Sequence, residues 1–152
     1  MNPTLSSPTG MADAVERLVN FFEHLTPDSA AYVSTIYAEN ARFKDPFNDV
    51  RGVAPIQHIF EHMFVALEQP RFVVTEQVVQ GQQCFLTWEF RFRFVRFASG
   101  TDQVIYGATH LLFNEAGQVT LHRDYWDAAE ELYEKLPVVS GLMRWLKRRA
   151  NS

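Results

Sequence analysis

Apolar positions first recur at helical spacing. Val15, Leu18, Val19, Phe22 and Leu25 fall three or four residues apart, which predicts an amphipathic helix over 13–25. Thr26-Pro27-Asp28 restarts the chain, with Thr26 placed to cap and Pro27 suited to a first turn. A second short helix is expected to run to about Tyr37, burying Val33, Ile36 and Tyr37. A short extended piece over 41–45 leads to a turn at Pro46 and Asn48-Asp49, closed by Gly52. A third helix over 55–67 has the cleanest stripe: Ile56, Ile59, Phe60, Met63, Phe64 and Leu67. Past Pro70 the period changes to two. Phe72, Val74 and Val78 alternate with Val73, Thr75 and Val79, and Gly81 marks a hairpin. The segment 84–97 alternates most strongly, with Cys84, Leu86, Trp88, Phe90, Phe92 and Phe94 on one face and Phe85, Thr87, Glu89, Arg91 and Arg93 on the other. Such alternation describes a strand buried on one side. Turns at Ser99-Gly100-Thr101-Asp102 and Glu115-Ala116-Gly117 delimit strands over 104–113 and 119–126. Helical pieces over 128–136 and 138–149 flank Pro137. Helices, then four long strands joined by hairpins, then helices is an α+β order rather than a βαβ one.

The length, 152 residues, suits one domain, with 1–12 as a loose tail and 13–152 as the fold. Thirteen Phe and 47% apolar residues suffice to fill a sizeable core. A net charge of −4 gives no general attraction to nucleic acid or acidic lipid; the last ten residues depart from that balance. Cys84 is the one cysteine, so an internal disulfide is excluded, and a reducing, cytoplasmic location fits. The opening Pro/Ser/Thr-rich stretch has neither the basic start nor the apolar run of a secretory signal. No apolar run approaches membrane-spanning length.

Tyr37-Ala38-Glu39-Asn40-Ala41 leads into Phe43-Lys44-Asp45-Pro46, and the last strand ends His122-Arg123-Asp124-Tyr125-Trp126. With the element order, these residues resemble the nuclear-transport-factor-2-like superfamily over roughly 13–127, and within it the SnoaL-like and ketosteroid-isomerase-like branch. The resemblance implies a cone: a curved antiparallel sheet wrapped around three N-terminal helices, with a pocket between them and an extra C-terminal helix here. In ketosteroid isomerases the Asp of the Asp-Pro motif is the base, which is Asp45 in this chain. Their oxyanion donors correspond to a position near Phe21 or Phe22 and to Thr109, neither an equally strong donor, so a steroid isomerase is not expected. SnoaL-type cyclases carry an acid/base Asp on the last strand, where Asp124 stands. Period two places His122 and Trp126 on the same face. The Asp–Arg–Asp set of limonene epoxide hydrolases is not expected, because Arg123, Arg91 and Arg93 alternate away from the apolar face.

The resemblance thus implies a pocket for a small hydrophobic, carbonyl-bearing or lipid-like molecule. Asp45, Asp124 and His122 are the candidate acid/base groups, with Trp88, Phe90, Phe60, Phe64, Thr109, Trp126 and Phe22 as its wall. Isomerisation, cyclisation or dehydration without a cofactor would be the chemistry; a non-catalytic binding or dimerisation module of the same fold is the alternative. A homodimer through the outward sheet face is expected. Each candidate also has a plainer role: Asp45 as a turn residue, Asp124 as an ion-pair partner, His122 as a hydrogen-bonded core residue. His58-Ile59-Phe60-Glu61-His62 matches a zinc-peptidase pattern, but helical spacing turns both histidines away from the apolar stripe, so they are expected to face solvent and bind no metal. The final helix sets Val138, Val139, Leu142, Trp145 and Leu146 against Arg144, Lys147 and Arg148. It is expected to pack on the domain rather than bind a membrane.

Overall fold

A computed structural model describes residues 8–96, 100–132 and 137–151. The start of the expected tail, the strand end at Phe97, the turn residue Ser99 and the helix end at Leu136 lie outside the described residues. Helix α1 spans Pro8–Glu23, and a 3₁₀ helix follows over Asp28–Thr35. Then come β1 (Tyr37–Lys44), β2 (Asp49–Arg51), α2 (Val53–Ala66), β3 (Leu67–Gln80), β4 (Gln83–Phe94), β5 (Gln103–Phe113) and β6 (Val119–Tyr125), closed by α3 (Ala128–Glu131) and α4 (Pro137–Ala150). This is the α+β architecture that the pattern predicts.

The six strands form one sheet in the order β2-β1-β6-β5-β4-β3. Hairpins make the β3–β4, β4–β5 and β5–β6 pairs antiparallel. β1 lies parallel to β6, so the sheet is mixed rather than wholly antiparallel as expected. The parallel pair is possible because α2 and the whole meander separate the two strands in the chain. Bulges in β3 between Glu68 and Arg71 and between Val74 and Glu76 bend and twist that edge. Pro70 and the positive-φ Gln69 (φ 49°) sit in the first bulge, where a missing N–H donor is tolerated. The Glu23 carboxylate, at the end of α1, accepts a hydrogen bond from the Val74 backbone N–H at 3.0 Å, tying helix to sheet at the second bulge.

The core lies between the helices and the inward sheet face. Leu18, Val33, Ile56, Leu111 and Val119 are fully buried there. Three expectations change. First, α1 begins at Pro8 and buries Met11, so residues 8–12 belong to the fold: Met11 extends the Val15/Leu18 stripe by one turn, and Pro suits a helix start. Second, Tyr37 opens β1 instead of ending a helix. Third, α4 does not pack on the domain through its apolar arc. Leu142, Trp145 and Leu146 are 55%, 45% and 45% exposed, and α4 has no extensive packing with another element among the described residues. The inward sheet face is already covered by α1, α2 and the 3₁₀ helix.

Candidate functional site

Between α2 and the inward face of β3–β6 lies a cavity of about 320 Å³, at the small end of the range for small-molecule sites. Its wall is mostly apolar and aromatic. Phe72 stacks on Phe90 (centroids 4.4 Å apart, 19°) and meets Trp88 edge-on at 5.5 Å. Phe22 and Phe60 enter from the helices, and Trp126 and Leu132 stand at the end of the meander.

The polar groups converge on β6. Thr109 and Asp124 are directly paired across β5 and β6, which puts both side chains on the inward face. Gly107 lies opposite Trp88 across β4 and β5, and with no Cβ there the indole lies over the β5 backbone; a Cβ would come within 2.4 Å of the ring. The Trp88 indole N–H thereby reaches the Thr109 hydroxyl at 2.7 Å. Indole nitrogen only donates, so Thr109 is left to donate onward, and its hydroxyl lies 2.6 Å from Asp124 Oδ1. The same Oδ1 is 2.7 Å from His122 Nε2. A carboxylate only accepts, so His122 carries its proton on Nε2 and turns Nδ1 to the Tyr37 hydroxyl, 2.8 Å away. The result is a continuous chain, Trp88–Thr109–Asp124–His122–Tyr37. Asp124 Oδ2 receives no hydrogen bond among the described residues, and Asp124 lines the cavity.

The His122 ring is held on its faces as well as its edges. Phe43 lies 4.4 Å away at 33° and Phe22 meets it at 5.6 Å; only 4% of the residue is exposed. Tyr37 is buried to 1%. Burial first, and then the Asp124 charge, push its phenol well above the usual tyrosine range. Tyr37 therefore stays neutral, able to donate to the imidazole. Tyr37→Phe is expected to cost about 1–3 kcal/mol at pH 7, because Nδ1 loses its buried partner. Below pH ~10 the phenol is neutral in both states; above it the unfolded chain ionises while the folded one resists, so that contribution to stability is lost as pH rises. Urea melts should show the gap between wild type and variant narrowing above pH 10; a constant gap would mean that Tyr37 does not carry the alkaline sensitivity.

The sequence-predicted residues fall into place as follows. Asp45, Asp124, His122, Trp88, Phe90, Phe60, Thr109, Trp126 and Phe22 all line the cavity. Phe64 does not: it is half-buried on α2, off the cavity wall. At about 100° per residue it sits about 140° round the helix from Ile59, beyond the arc of Ile59, Met63 and Ala66 that faces inward. His62, expected to point away, stands on the other flank of that arc and lines the cavity while remaining exposed. His58 is exposed, and no cluster of three metal-ligating side chains occurs among the described residues. Asp45 is held by its own turn: Oδ1 accepts from the Phe47 and Asn48 backbone N–H groups at 2.8 and 2.7 Å, and the Asn48 amide spans both oxygens at 3.1 Å. Sequence reasoning missed Tyr37; the signal was a tyrosine among the small and polar residues of its motif. Cys84 is buried, and desolvation pushes its thiol up to about 11. It should resist Ellman's reagent at pH 8 in the native protein and react fully in guanidinium; fast native labelling would contradict its placement.

A family model described as a SnoaL-like domain matches residues 16–122. The chain belongs to the SnoaL-like domain family. No curated protein matches it. Solved structures resemble this SnoaL-like domain in fold. A Catenulispora acidiphila protein of ketosteroid-isomerase-like fold, bound to trimethylamine, is 16% identical with a TM-score of 0.67, covering 79% of this chain and 89% of that one. A Mycobacterium tuberculosis LEH-like epoxide hydrolase is 14% identical with a TM-score of 0.64, covering 81% and 86%. A Jannaschia protein assigned as a SnoaL-like polyketide cyclase is 17% identical with a TM-score of 0.68, covering 82% and 91%. At these identities the likeness concerns the fold. Here Arg91 pairs with Glu89 and Arg93 with Asp102, and Arg123 lies over the Tyr125 ring. None of the three arginines lines the cavity.

Proposed function

We propose that the cavity binds a small, mostly hydrophobic, carbonyl-bearing molecule and that Asp124 exchanges a proton with it, without a cofactor. The observation that supports this most is the asymmetry of the Asp124 carboxylate. Oδ1 is held by His122 and Thr109, while Oδ2 has no hydrogen-bond partner among the described residues and faces a mostly apolar cavity. A base must be fixed in orientation yet keep one lone pair available. Asp124 would take a proton from a carbon next to the carbonyl through Oδ2 and return it to another atom of the same molecule, an isomerisation, cyclisation or dehydration pattern. His122 would hold the carboxylate in place through its Nε2–H while Oδ2 handles the proton. Asp45, the first choice from the family motif, takes the lesser part: its oxygens are engaged in the Phe47–Asn48 turn. The structural likeness to an epoxide hydrolase and a cyclase-type protein makes small-molecule chemistry a reasonable class.

The test begins with native mass spectrometry of the purified protein to identify a molecule retained in the cavity, followed by NMR-detected deuterium exchange on that molecule and on a panel of apolar ketones and enones. Exchange catalysed by wild type supports the reading. A retained ligand with no exchange in any candidate points to the non-catalytic binding module.

A symmetric dimer through the outward sheet face belongs to the same proposal. The pairings Val78–Phe85, Phe85–His110 and Ala108–Tyr125 place Val78, Phe85, Tyr106 and Tyr125 on one face, and all four are exposed. Light scattering should give twice the monomer mass at high micromolar concentration and the monomer mass for Phe85→Asp/Tyr106→Asp. Monomer mass for wild type would reject the dimer.

A further inference from the structure

Leu142, Trp145 and Leu146 leave an apolar arc of α4 uncovered, and its chemistry narrows what can cover it. Leu142, Trp145 and Leu146 are exposed and, at about 100° per residue, occupy one arc of the helix, while Arg144, Lys147 and Arg148 occupy the opposite one. Arg149 falls within the apolar arc, between Trp145 and Leu142, its guanidinium over the Trp145 ring at 5.1 Å. α4 contains no acidic residue, although the chain as a whole carries a net charge of −4. The positive charge is thus concentrated on a helix whose Leu142, Trp145 and Leu146 the domain does not bury.

We propose that α4 lies in the plane of an anionic membrane surface, with Leu142, Trp145 and Leu146 in the acyl boundary and Arg144, Lys147 and Arg148 among the lipid head groups. A cationic face opposite a Leu/Trp face is the composition that interfacial helices use. The other occupants fit less well. Nucleic acid would match the charge but leave the apolar arc unburied. A second α4 would bury that arc but bring the two Arg149 side chains, which lie within it, into the same seam, with no acidic residue in the helix to pair with them. The inward sheet face is already covered by α1, α2 and the 3₁₀ helix, and the exposed outward face, with Phe85 and Tyr106, is the one assigned above to the dimer. The proposal does not depend on the reading of the cavity. α4 does begin five residues after Leu132, which lines that cavity, so a bound helix keeps the cavity within about 18 Å of the lipid surface even along a fully extended connection.

Vesicle co-flotation of the full-length protein tests this, with pure phosphatidylcholine compared with phosphatidylcholine containing 30% phosphatidylserine as the probes at roughly 0.1 M salt. Binding to the anionic vesicles alone, weakening as salt rises, is the expected result. Arg144→Gln/Lys147→Gln/Arg148→Gln should weaken it by about 100-fold, at roughly fivefold per cation near the surface. Leu142→Ser/Trp145→Ser/Leu146→Ser keeps the charges and should abolish flotation while leaving the melting temperature unchanged, which separates loss of the surface from loss of the fold. Failure of wild type to float with anionic vesicles would overturn the proposal, as would equal binding by the Ser variant. So would a change of oligomeric state in the Ser variant by sedimentation velocity, which would identify a second copy as the occupant.

Discussion

Gly107→Ala is expected to be among the most damaging single-methyl changes in this protein. The added Cβ would stand 2.4 Å from Trp88 Cη2 and 2.6 and 2.8 Å from its neighbours, and the atoms it meets belong to a rigid ring rather than to a flexible tip. Trp88 is buried to 6% and wedged against Phe72, so it can yield only by leaving its place. Overpacking of this kind costs about 1–3 kcal/mol, and the indole also withdraws its N–H from Thr109, leaving a buried acceptor short of a donor. For a domain of this size the melting temperature should fall by roughly 2–4 °C per kcal/mol, several degrees in all. Trp88→Phe supplies the control. A smaller ring makes room for the methyl, so the double variant should be less destabilised than the sum of the two singles, the sign of residues in direct contact. Additive effects in calorimetry would show that the methyl and the indole do not collide.

Asp124→Asn should have the largest effect on chemistry and a small one on folding. The amide keeps the carboxylate's shape, and its oxygen can still accept from Thr109 and His122, but it has no lone pair basic enough to take a proton from carbon. Removal of a positioned general base lowers turnover by about 10²–10⁴-fold. Ligand affinity should change little, because the wall of Phe60, Trp88, Phe90 and Trp126 is intact. Asp45→Asn is the informative contrast. It weakens a turn in which one carboxylate oxygen organises two backbone N–H groups, and its expected cost is about 1 kcal/mol of stability with most turnover retained. The reverse outcome in the exchange assay, with Asp45→Asn inactive and Asp124→Asn active, would restore Asp45 as the base and sink the present assignment.

Much of the fold was legible in the chain because it rests on periodicity. The Ile56/Phe60 stripe and the Cys84–Phe94 alternation each depend only on local geometry, a turn of about 3.6 residues or a strand of two. The same alternation put His122, Asp124 and Trp126 on one face before any contact was known. Residues flanking a stripe were less legible. Phe64 and His62 both lie on α2 near the edge of the inward arc, and which of them reaches the cavity depends on the helix's rotation against the sheet, which a stripe does not specify. The start of α1 was misplaced because Pro8 and Gly10 resemble a loop locally, whereas burial of Met11 against the core favours another turn of helix.

Tertiary structure alone decided how the candidate site's polar groups connect. Tyr37 and His122 are 85 residues apart in the chain and meet because β1 pairs in parallel with β6, a long-range choice that no local pattern encodes. Gly107 reads as a weak point in a strand until its register against Trp88 is known; the register makes it the position that lets the indole reach Thr109. Asp45 and Asp124 look alike as carboxylates in motifs, and only the hydrogen bonds around each distinguish a carboxylate held by its own turn from one held through Oδ1 alone among the described residues. The sequence also determined the amphipathic character of α4, because that follows from spacing. Whether the domain would cover the apolar arc depended on complementary surface elsewhere, and the inward sheet face was already occupied by α1, α2 and the 3₁₀ helix.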